Sequence, residues 1–503
     1  MYIAKSKTSS FIVERRILTT KDDEFFLEKK FQICEKIYNT AVKYYKKQIN
    51  ELYKDVWYIQ CLHKFKNSKT EEEKKLWSNE IFVCMSAYNL TEYDIHMFMG
   101  KQKVSNFSKS IGINIVQKLG TNLYSAIKKA VFKGTKIHYR KRGQTNSFED
   151  KKAKSGIIYN TKGTVKIMGK VMKLKSIREN DVYLQEAMCH KIKYCRVVKK
   201  PFAYGYKYFL QIVMEGNAPK KLTLGKGFCG VDQGTSTIAY YNNNETNFVV
   251  LAEDVETYNK EIKHWVTVFD RRKRLHNPQC YNKDGTIIKG SKFYYTKNCK
   301  KALMQLKNAY RKKSVYIKQE HNKLANRLVE QCDTIVKEPM NFKALQKRSK
   351  NTKRQEISST ITKKDGTKIN VYKYKRKKRF GKSLQNRSPG LLNQIIENKF
   401  QQYKGFVIEV NSKEYKASQY DHTTEQATKC KLSDRSKIIG EYLVQRDLYS
   451  AFLLYNMLDT NKIDFQKCKQ NFNDFLEKQE LVINRIKVMG DITNNFGIKD
   501  FNF

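Results

Sequence analysis

Apolar residues recur at steps of three and four through the first third of the chain, which is the spacing of amphipathic helices. The pattern predicts helices from residue 24 to about residue 133. Two stripes are clearest: Ile33, Ile37, Tyr38, Ala41, Val42 and Tyr45, then Ile111, Ile115, Leu119, Leu123, Ile127 and Val131. Both predict the core of a helical bundle. Aromatic residues interleaved with lysines leave an alternative open, in which they stack on nucleobases: Tyr44, Tyr45, Tyr53, Trp57 and Tyr58.

Short β-rich runs flank this helical block. Residues 10–20 predict a strand, and five further runs follow a basic loop that begins near residue 134. The five runs are GIIYN, TVKIMG, DVYLQ, KIKYCRVVKK and YKYFLQIVME. Together they predict a small β-barrel that ends near residue 222. If the strand at 10–20 completes this barrel, the helical block is an insertion into it.

The pattern from residue 226 onwards alternates between strands and helices. An opening hairpin precedes predicted helices at 255–276 and 297–332, and a strand follows at 334–339. A helix at 391–404, a strand at 406–410 and a helix that begins near Asp447 complete the region. This order predicts a mixed α/β domain.

The net charge of the chain indicates which class of partner it binds. It has 99 Lys and Arg against 49 Asp and Glu, a formal net charge of +50. So large an excess implies a polyanion partner. The basic residues are spread along the whole chain and no run of eighteen apolar residues occurs, so nucleic acid is favoured over a membrane. The stretch 343–387, with 17 Lys and Arg against two acids, predicts a solvated loop or a basic segment that closes over a phosphate backbone.

The eleven cysteines do not predict a zinc site, since no CxxC pair occurs among them. The nearest approach to a cluster is Cys189, His190 and Cys195. We interpret the cysteines as reduced thiols of an intracellular protein. The N-terminal segment lacks the apolar core of a signal peptide, which also predicts a cytoplasmic, nucleoid-associated protein of prokaryotic type.

Three acids stand at comparable places in the α/β region. Asp232 follows a strand, Glu338 ends the run TIVKEP, and Asp447 opens the helix RDLYSAFLLYNML. Taken singly, they are also compatible with a turn, an ordinary strand end and a helix N-cap. If the elements converge, three adjacent carboxylates are tolerable only around divalent cations. Two Mg²⁺ ions roughly 4 Å apart activate a water and stabilise the leaving oxygen of a phosphodiester.

The stretches around these acids, GVDQG, IVKEPMNFKAL and QRDLYSAFLL, resemble the three RuvC motifs of the TnpB proteins of insertion sequences, the ancestors of compact type V CRISPR effectors. The resemblance covers residues 226–457. It implies a multidomain α/β protein in which a β-barrel wedge domain with an inserted helical recognition domain is followed by an RNase H-like RuvC nuclease domain. On this resemblance, Asp232, Glu338 and Asp447 are the catalytic, metal-binding acids.

The resemblance also implies a division of the chain. The wedge barrel takes residues 1–22 and 134–222, the recognition domain 23–133, and the RuvC domain 223–412 with a basic lid at 343–387. The last RuvC motif and C-terminal helices take residues 444–503. Between them, residues 413–443 replace a zinc ribbon that the family usually has.

The replaced ribbon is a departure from the family. Ser418 and Gln419 match its beginning, and Leu432, Ser433 and Arg435 match a Leu-Ser-x-Arg motif, but the four cysteines are absent. His422 and Cys430 are the only soft metal ligands there, which are too few for zinc. Residues 413–443 therefore predict a zinc-free remnant held by hydrogen bonds and packing. Tyr449 stands where the family commonly has Asn.

The function implied by the resemblance is that of an RNA-guided DNA endonuclease. It would bind a guide RNA and cleave double-stranded target DNA beside a short recognition motif by Mg²⁺-dependent phosphodiester hydrolysis, with Mn²⁺ as an alternative ion. One site per chain suits a monomer in the ribonucleoprotein. The alternative is an RNA-guided DNA-binding protein that represses without cleavage.

Overall fold

The computed structural model describes residues 9–108, 110–283, 285–346, 356, 359–362, 367–372, 381–428, 434–488, 496–498 and 501. These residues form two compact units, 1–219 and 220–503. Most of the predicted basic lid, including the run KYKRKKR, lies outside the described residues, as do Cys430, Leu432 and Ser433. No helix in the described part of the chain is both long and apolar enough to cross a membrane.

The first unit contains five helices in succession and a set of strands that pair only antiparallel among the described residues. Its elements are β1 (Ser10–Leu18), α1 (Lys21–Leu52), α2 (Val56–Asn67), α3 (Glu71–Ala87), α4 (Glu92–Phe107), α5 (Ile113–Lys133), β2 (Ser147–Glu149), β3 (Ile157–Asn160), β4 (Thr164–Ile167), β5 (Lys170–Leu174), α6 (Val182–Met188), β6 (Ile192–Phe202) and β7 (Gly205–Glu215).

Three of the helices begin at capping boxes that are visible in the sequence. Thr20, Thr70 and Thr91 each accept a hydrogen bond from the backbone N–H three residues on, and an acidic side chain at that position bonds back to the threonine N–H. This reciprocal pairing satisfies N–H groups that a helix start leaves without partners. Both predicted apolar stripes are buried, which confirms them as core. For Tyr45 and Tyr58 the base-stacking alternative is wrong, because these rings are 1% and 2% exposed.

The strands of the first unit form one sheet of order β2-β6-β7-β1-β5-β4-β3. β1 joins this sheet as predicted, between β7 and β5, so that α1–α5 lie in chain order between strands of one sheet. The predicted closed barrel is wrong for the described residues, since no ladder joins the edge strands β2 and β3. The predicted strand DVYLQ is also wrong. The Asp181 side chain accepts a hydrogen bond from the Leu184 N–H and caps α6 there.

The second unit begins with three antiparallel strands, and helices and further strands follow. Its elements are β8 (Phe228–Gln233), β9 (Thr237–Tyr241), β10 (Thr246–Val250), α7 (Val255–Leu275), α8 (Lys297–Gln331), β11 (Thr334–Lys337), α9 (Phe342–Leu345), β12 (Ser359–Thr362), β13 (Lys368–Val371), α10 (Gly381–Arg387), α11 (Pro389–Tyr403), β14 (Phe406–Glu409), β15 (Tyr420–Asp421), β16 (Gln426–Ala427), β17 (Ser436–Ile439), β18 (Tyr442–Gln445), α12 (Arg446–Tyr455) and α13 (Phe465–Val488). The predicted mixed α/β pattern is confirmed.

The central sheet of this unit has the order β10-β9-β8-β11-β14. β9 is antiparallel to both of its neighbours, whereas β8, β11 and β14 run parallel. Successive residues of a strand point to opposite faces. One face packs on α8 and α11, through residues such as Val231 and Ile335. The other packs on α12 and α13, through residues such as Val336 and Tyr241.

Candidate active site

The first predicted acid lies on the face of β8 that meets α12. Asp232 shares this face with Gly230, because side chains alternate along the strand. A Cβ atom on Gly230 would overlap the carbonyl oxygen of Ala451 and the amide nitrogen of Tyr455. The backbone of α12 therefore rests directly on the backbone of β8, which only glycine permits at this position. Asp232 itself is partly exposed at the end of the strand.

The second acid follows the neighbouring strand. β11 runs parallel to β8, with Lys337 opposite Val231. Glu338 follows Lys337 and Asp232 follows Val231, so these two acids lie at the same level of the sheet. Val336 and Glu338 share the face that carries α12. Glu338 Oε1 accepts a hydrogen bond of 3.2 Å from the Ala417 N–H. This carboxyl is also partly exposed.

The third acid is in the first turn of α12. Asp447 precedes Ala451 by four residues, about one helical turn, so it lies on the same helix face as the residue that meets Gly230. The start of the helix is held by Gln445, which is 0% exposed. Its side chain accepts a 2.8 Å hydrogen bond from the Leu448 N–H and donates one of 3.1 Å to the Phe496 carbonyl.

The ionisation of Asp232 depends on burial and on the other two acids. Burial raises the pKa of Asp232 well above its usual range, and the carboxylates of Asp447 and Glu338 raise that pKa further. The Ser450 hydroxyl and the Arg446 guanidinium oppose the rise without cancelling it. Burial also raises the pKa of Glu338, against the hydrogen bond from Ala417. In this acid cluster, Asp447 and Glu338 thus lie close enough to Asp232 to raise its pKa.

Two arginines stand beside this cluster. Arg435 Nη1 lies 3.3 Å from Asp447 Oδ2, and Arg446 Nη2 lies 3.7 Å from Asp447 Oδ1. The Arg435 carbonyl also accepts a 2.9 Å hydrogen bond from the Arg446 N–H, so the two arginines are held together. The sequence marked Arg435 only as part of a motif, and nothing in its spacing pointed to Asp447. The Gly230 packing had a sequence signal, since glycine inside a strand often marks a close backbone approach.

The donor set suits a hard divalent cation, because carboxylate oxygens are the ligands that Mg²⁺ and Mn²⁺ prefer. A cation would also relieve the repulsion that raises the pKa of Asp232. Within the part of the chain that the structure describes, however, no three His, Cys, Asp or Glu side chains are arranged to hold one metal ion. In this conformation Asp447 pairs with arginine instead.

The described residues between β14 and α12 include two small hairpins, β15–β16 and β17–β18. Lys437 joins them through hydrogen bonds to the carbonyls of Gln419, at 3.0 Å, and Tyr420, at 2.7 Å. His422 is 1% exposed, and its Nδ1 lies 2.8 Å from the Tyr449 hydroxyl. The His422 imidazole of the first hairpin therefore contacts Tyr449 of α12 directly. Hydrogen bonds and aromatic packing thus connect the described part of these hairpins to each other and to α12.

No protein-family model matches the sequence, and no curated protein sequence is significantly similar to it. Solved structures similar to this chain include Cas12 proteins in complexes with nucleic acid. A chain of a Cas12f1–sgRNA–target DNA complex is 10% identical, with 90% of this chain and 99% of that chain covered and a TM-score of 0.44. A CRISPR–Cas12f ternary complex gives 13% identity, coverage of 88% and 86%, and a TM-score of 0.24. A chain of a Cas12i1 R-loop complex before target DNA cleavage is 10% identical, with 91% of this chain and 65% of that chain covered and a TM-score of 0.25.

Proposed function

We propose that this protein is an RNA-guided DNA endonuclease that hydrolyses phosphodiester bonds of target DNA at Asp232, Glu338 and Asp447. The observation that carries the proposal is the electrostatic cluster of these three carboxyl groups at the end of two parallel strands. In a chain with a net charge of +50, neighbouring carboxyl groups are best explained by a function that needs negative charge. The order of the five-stranded sheet is compatible with the RNase H-like fold that the motif resemblance implies.

The chemistry assigns a role to each group. Asp232, Glu338 and Asp447 would hold Mg²⁺ or Mn²⁺, and a bound ion would lower the pKa of water and neutralise charge on the phosphate. Arg435, with a side chain 46% exposed, is accessible to a phosphate oxygen next to Asp447. The α12 backbone, seated on Gly230, holds Asp447 at the level of Asp232. Preorganised charge of this kind is usually the largest contribution to catalysis.

The partners follow from charge and from the motif resemblance. A guide RNA would select the target by base pairing, and the protein would bind the duplexes through their phosphates and read a short motif beside the target. Lys and Arg in the basic stretch 343–387 would add salt-dependent affinity. We propose one active site per chain and a monomer in the ribonucleoprotein.

The test begins with the RNA that accompanies the protein. The chain is co-expressed with its flanking genomic DNA, purified, and the bound RNA is sequenced. We expect one abundant species with a constant scaffold and a variable end, and Mg²⁺-dependent cleavage of DNA that matches the variable end. Asp232→Ala should abolish cleavage while RNA and DNA binding stay nearly unchanged. The matched control is Asp270→Asn, an exposed acid on α7. Cleavage by Asp232→Ala would exclude the assignment.

One observation favours the alternative function, an RNA-guided DNA-binding protein that represses without cleavage. The described residues contain no three ligands arranged around one ion, and Asp447 is paired with Arg435. A repressor would bind matched DNA with its guide but leave it intact at every Mg²⁺ and Mn²⁺ concentration. The cleavage assay with wild-type protein therefore separates the two functions directly.

A further inference from the structure

The first unit contains an open groove where β1 leaves its sheet. β1 pairs with β5 as far as Leu18 and with β7 as far as Ile17, and the chain then turns into α1. Residues 170–172 of β5 and 205–207 of β7 continue beyond the end of β1, so a slot about one strand wide opens between them. The groove has a volume of about 870 Å³, which lies within the range of ligand sites.

Apolar and aromatic side chains in this groove are open to solvent. Tyr204, in the turn that joins β6 to β7, is 100% exposed. Val171 of β5 is 60% exposed and Leu18 of β1 is 44% exposed. All three residues line the groove. Exposed apolar residues that are scattered singly are ordinary, but three that line one groove indicate a binding surface.

Three cations line the groove beside these side chains: Arg16, Lys173 and Lys207. Lys173 is paired with Leu18 across two strands, and Arg16 precedes Leu18 by two residues, so these three side chains point to one face of the sheet. Arg16 and Lys173 are exposed. Among the described residues no carboxylate forms an ion pair with any of the three cations, so their charge is available to an anion.

Two acids also line the groove, and their surroundings differ. Asp23 accepts a 2.9 Å hydrogen bond from the Thr20 N–H, and Lys170 Nζ lies 2.7 Å from its Oδ1, so its charge is offset. Glu24 is partly exposed, and its Oε1 accepts a 3.2 Å hydrogen bond from the Thr19 hydroxyl. A carboxylate only accepts hydrogen bonds, so Glu24 offers a place for a hydroxyl donor.

This combination of groups matches single-stranded RNA. An exposed tyrosine offers a stacking face to any unpaired base, and exposed cations attract the phosphates on either side of it. A ribose 2′-hydroxyl can donate to the Glu24 carboxylate, whereas deoxyribose lacks that group. A duplex has no unpaired base for Tyr204, and the backbone of a peptide strand carries no charge to neutralise the three cations.

We propose that this groove binds an unpaired stretch of RNA, with one base stacked on Tyr204, the flanking phosphates on Arg16 and Lys173, and a ribose 2′-hydroxyl on Glu24. The inference rests on the proposed function in one respect, that RNA is a partner of this chain. It does not depend on the acid cluster, because the groove lies in the first unit and the acids lie in the second.

The first test measures stacking. The full-length chain is freed of nucleic acid in high salt, and a labelled single-stranded 12-mer RNA is titrated by fluorescence anisotropy over a series of salt concentrations. Tyr204→Ala should weaken binding about tenfold, the contribution of one stacked base, and leave the salt dependence unchanged. Tyr93→Ala, at an exposed tyrosine of α4 outside the groove, should change neither. Equal affinities of the two variants would overturn the proposal.

The second test measures the phosphate contact. Lys173→Gln should weaken binding of the same RNA and reduce the slope of log K against log salt concentration by about 0.7, the value for one phosphate of a single strand. Lys29→Gln, at an exposed lysine of α1 that does not line the groove, should keep the slope of the wild type. If Lys173→Gln also keeps that slope, RNA does not occupy the groove.

The third test compares RNA with DNA of the same sequence. Glu24→Ala should weaken RNA binding about fivefold, the loss of one hydrogen bond, and leave DNA binding unchanged or stronger. Asp22→Ala, at an exposed acid in the same helical turn but outside the groove, should shift RNA and DNA binding equally. If Glu24→Ala also shifts both equally, or if the duplex form of the RNA competes as well as the single strand, the assignment to unpaired RNA is wrong.

These outcomes separate the groove from the proposed nuclease. If the groove variants bind RNA like the wild type while guided cleavage is intact, the groove proposal alone is overturned. If RNA binding depends on Tyr204 and Glu24 but no DNA is cleaved at any Mg²⁺ concentration, the groove is sustained and the proposed nuclease is excluded.

Discussion

Gly230 of β8 lies directly against Ala451 of α12, with no room for a side chain between the two backbones. This contact joins the strand that carries Asp232 to the helix that carries Asp447. The geometry of the acid cluster therefore depends on a residue that has no functional group.

Gly230→Ala should therefore lower the stability of the protein and displace Asp447 from Asp232. The added methyl group must push α12 away from β8, which we expect to lower the free energy of unfolding by about 3 kcal/mol. Urea denaturation measures this loss. Gly390→Ala is the matched control, because a Cβ there would meet Phe342 at an ordinary 3.8 Å within a helix. The control should be neutral or stabilising by up to about 1 kcal/mol. Equal stability of the two variants would contradict the packing.

Asp232→Asn should make the protein more stable while it removes activity. The amide keeps the shape of the side chain but removes both the cost of burying a carboxylate, the main reason that the pKa of Asp232 is raised, and the repulsion from Asp447 and Glu338. We expect a gain of about 1 to 2 kcal/mol in the free energy of unfolding without divalent ions. Thermal denaturation in EDTA measures it, and Asp270→Asn should show no gain. A destabilised Asp232→Asn would mean that the carboxylate is favourably paired in the folded state.

Arg435→Gln should affect cleavage much more than stability. Its pair with Asp447 is half-exposed, so its loss should cost less than about 1 kcal/mol of folding free energy. A cation next to the reacting phosphate contributes far more to the rate, and we expect single-turnover cleavage to fall at least about tenfold. Lys469→Gln breaks a similarly exposed pair with Glu425 and should leave the rate unchanged. Equal rates in the two variants would remove Arg435 from the site.

His422 should make the second unit sensitive to acid. Burial lowers its pKa to about 4; nearby Lys469 and Lys437 lower it as well, and Asp421 opposes them. The unfolded chain takes up this proton as the pH falls through the ordinary value of about 6.5, whereas the folded chain does so only near 4. The free energy of unfolding should therefore decrease by about 3 kcal/mol between these values.

The check compares unfolding of the wild type with His422→Phe from pH 7 to pH 4. The variant should lose less stability across this interval, whatever its stability at pH 7. His63→Gln, at an exposed histidine of α2, should keep the slope of the wild type. If His422→Phe also keeps that slope, the histidine is not buried in its neutral form.

Much of this molecule is determined locally and can be predicted from sequence. Helices can be predicted because a hydrophobic period of 3.6 residues is a property of neighbouring residues. The apolar stripes of α1 and α5, and the helices and strands around Asp232, Glu338 and Asp447, were predicted for this reason. The same local logic failed at residues 181–185, where one capping aspartate outweighed a β-rich composition.

Only the tertiary structure shows the contacts between residues that are distant in the chain. Whether the first sheet closes depends on pairing between its edge strands β2 and β3, which no pattern within a strand encodes. Gly230 and Ala451 are separated by more than two hundred residues, and the partner of Arg435 depends on where a hairpin meets α12. Sequence periodicity determined which elements form and that each acid ends one. Packing between those elements decided that Glu338 and Asp447 come close enough to Asp232 to raise its pKa.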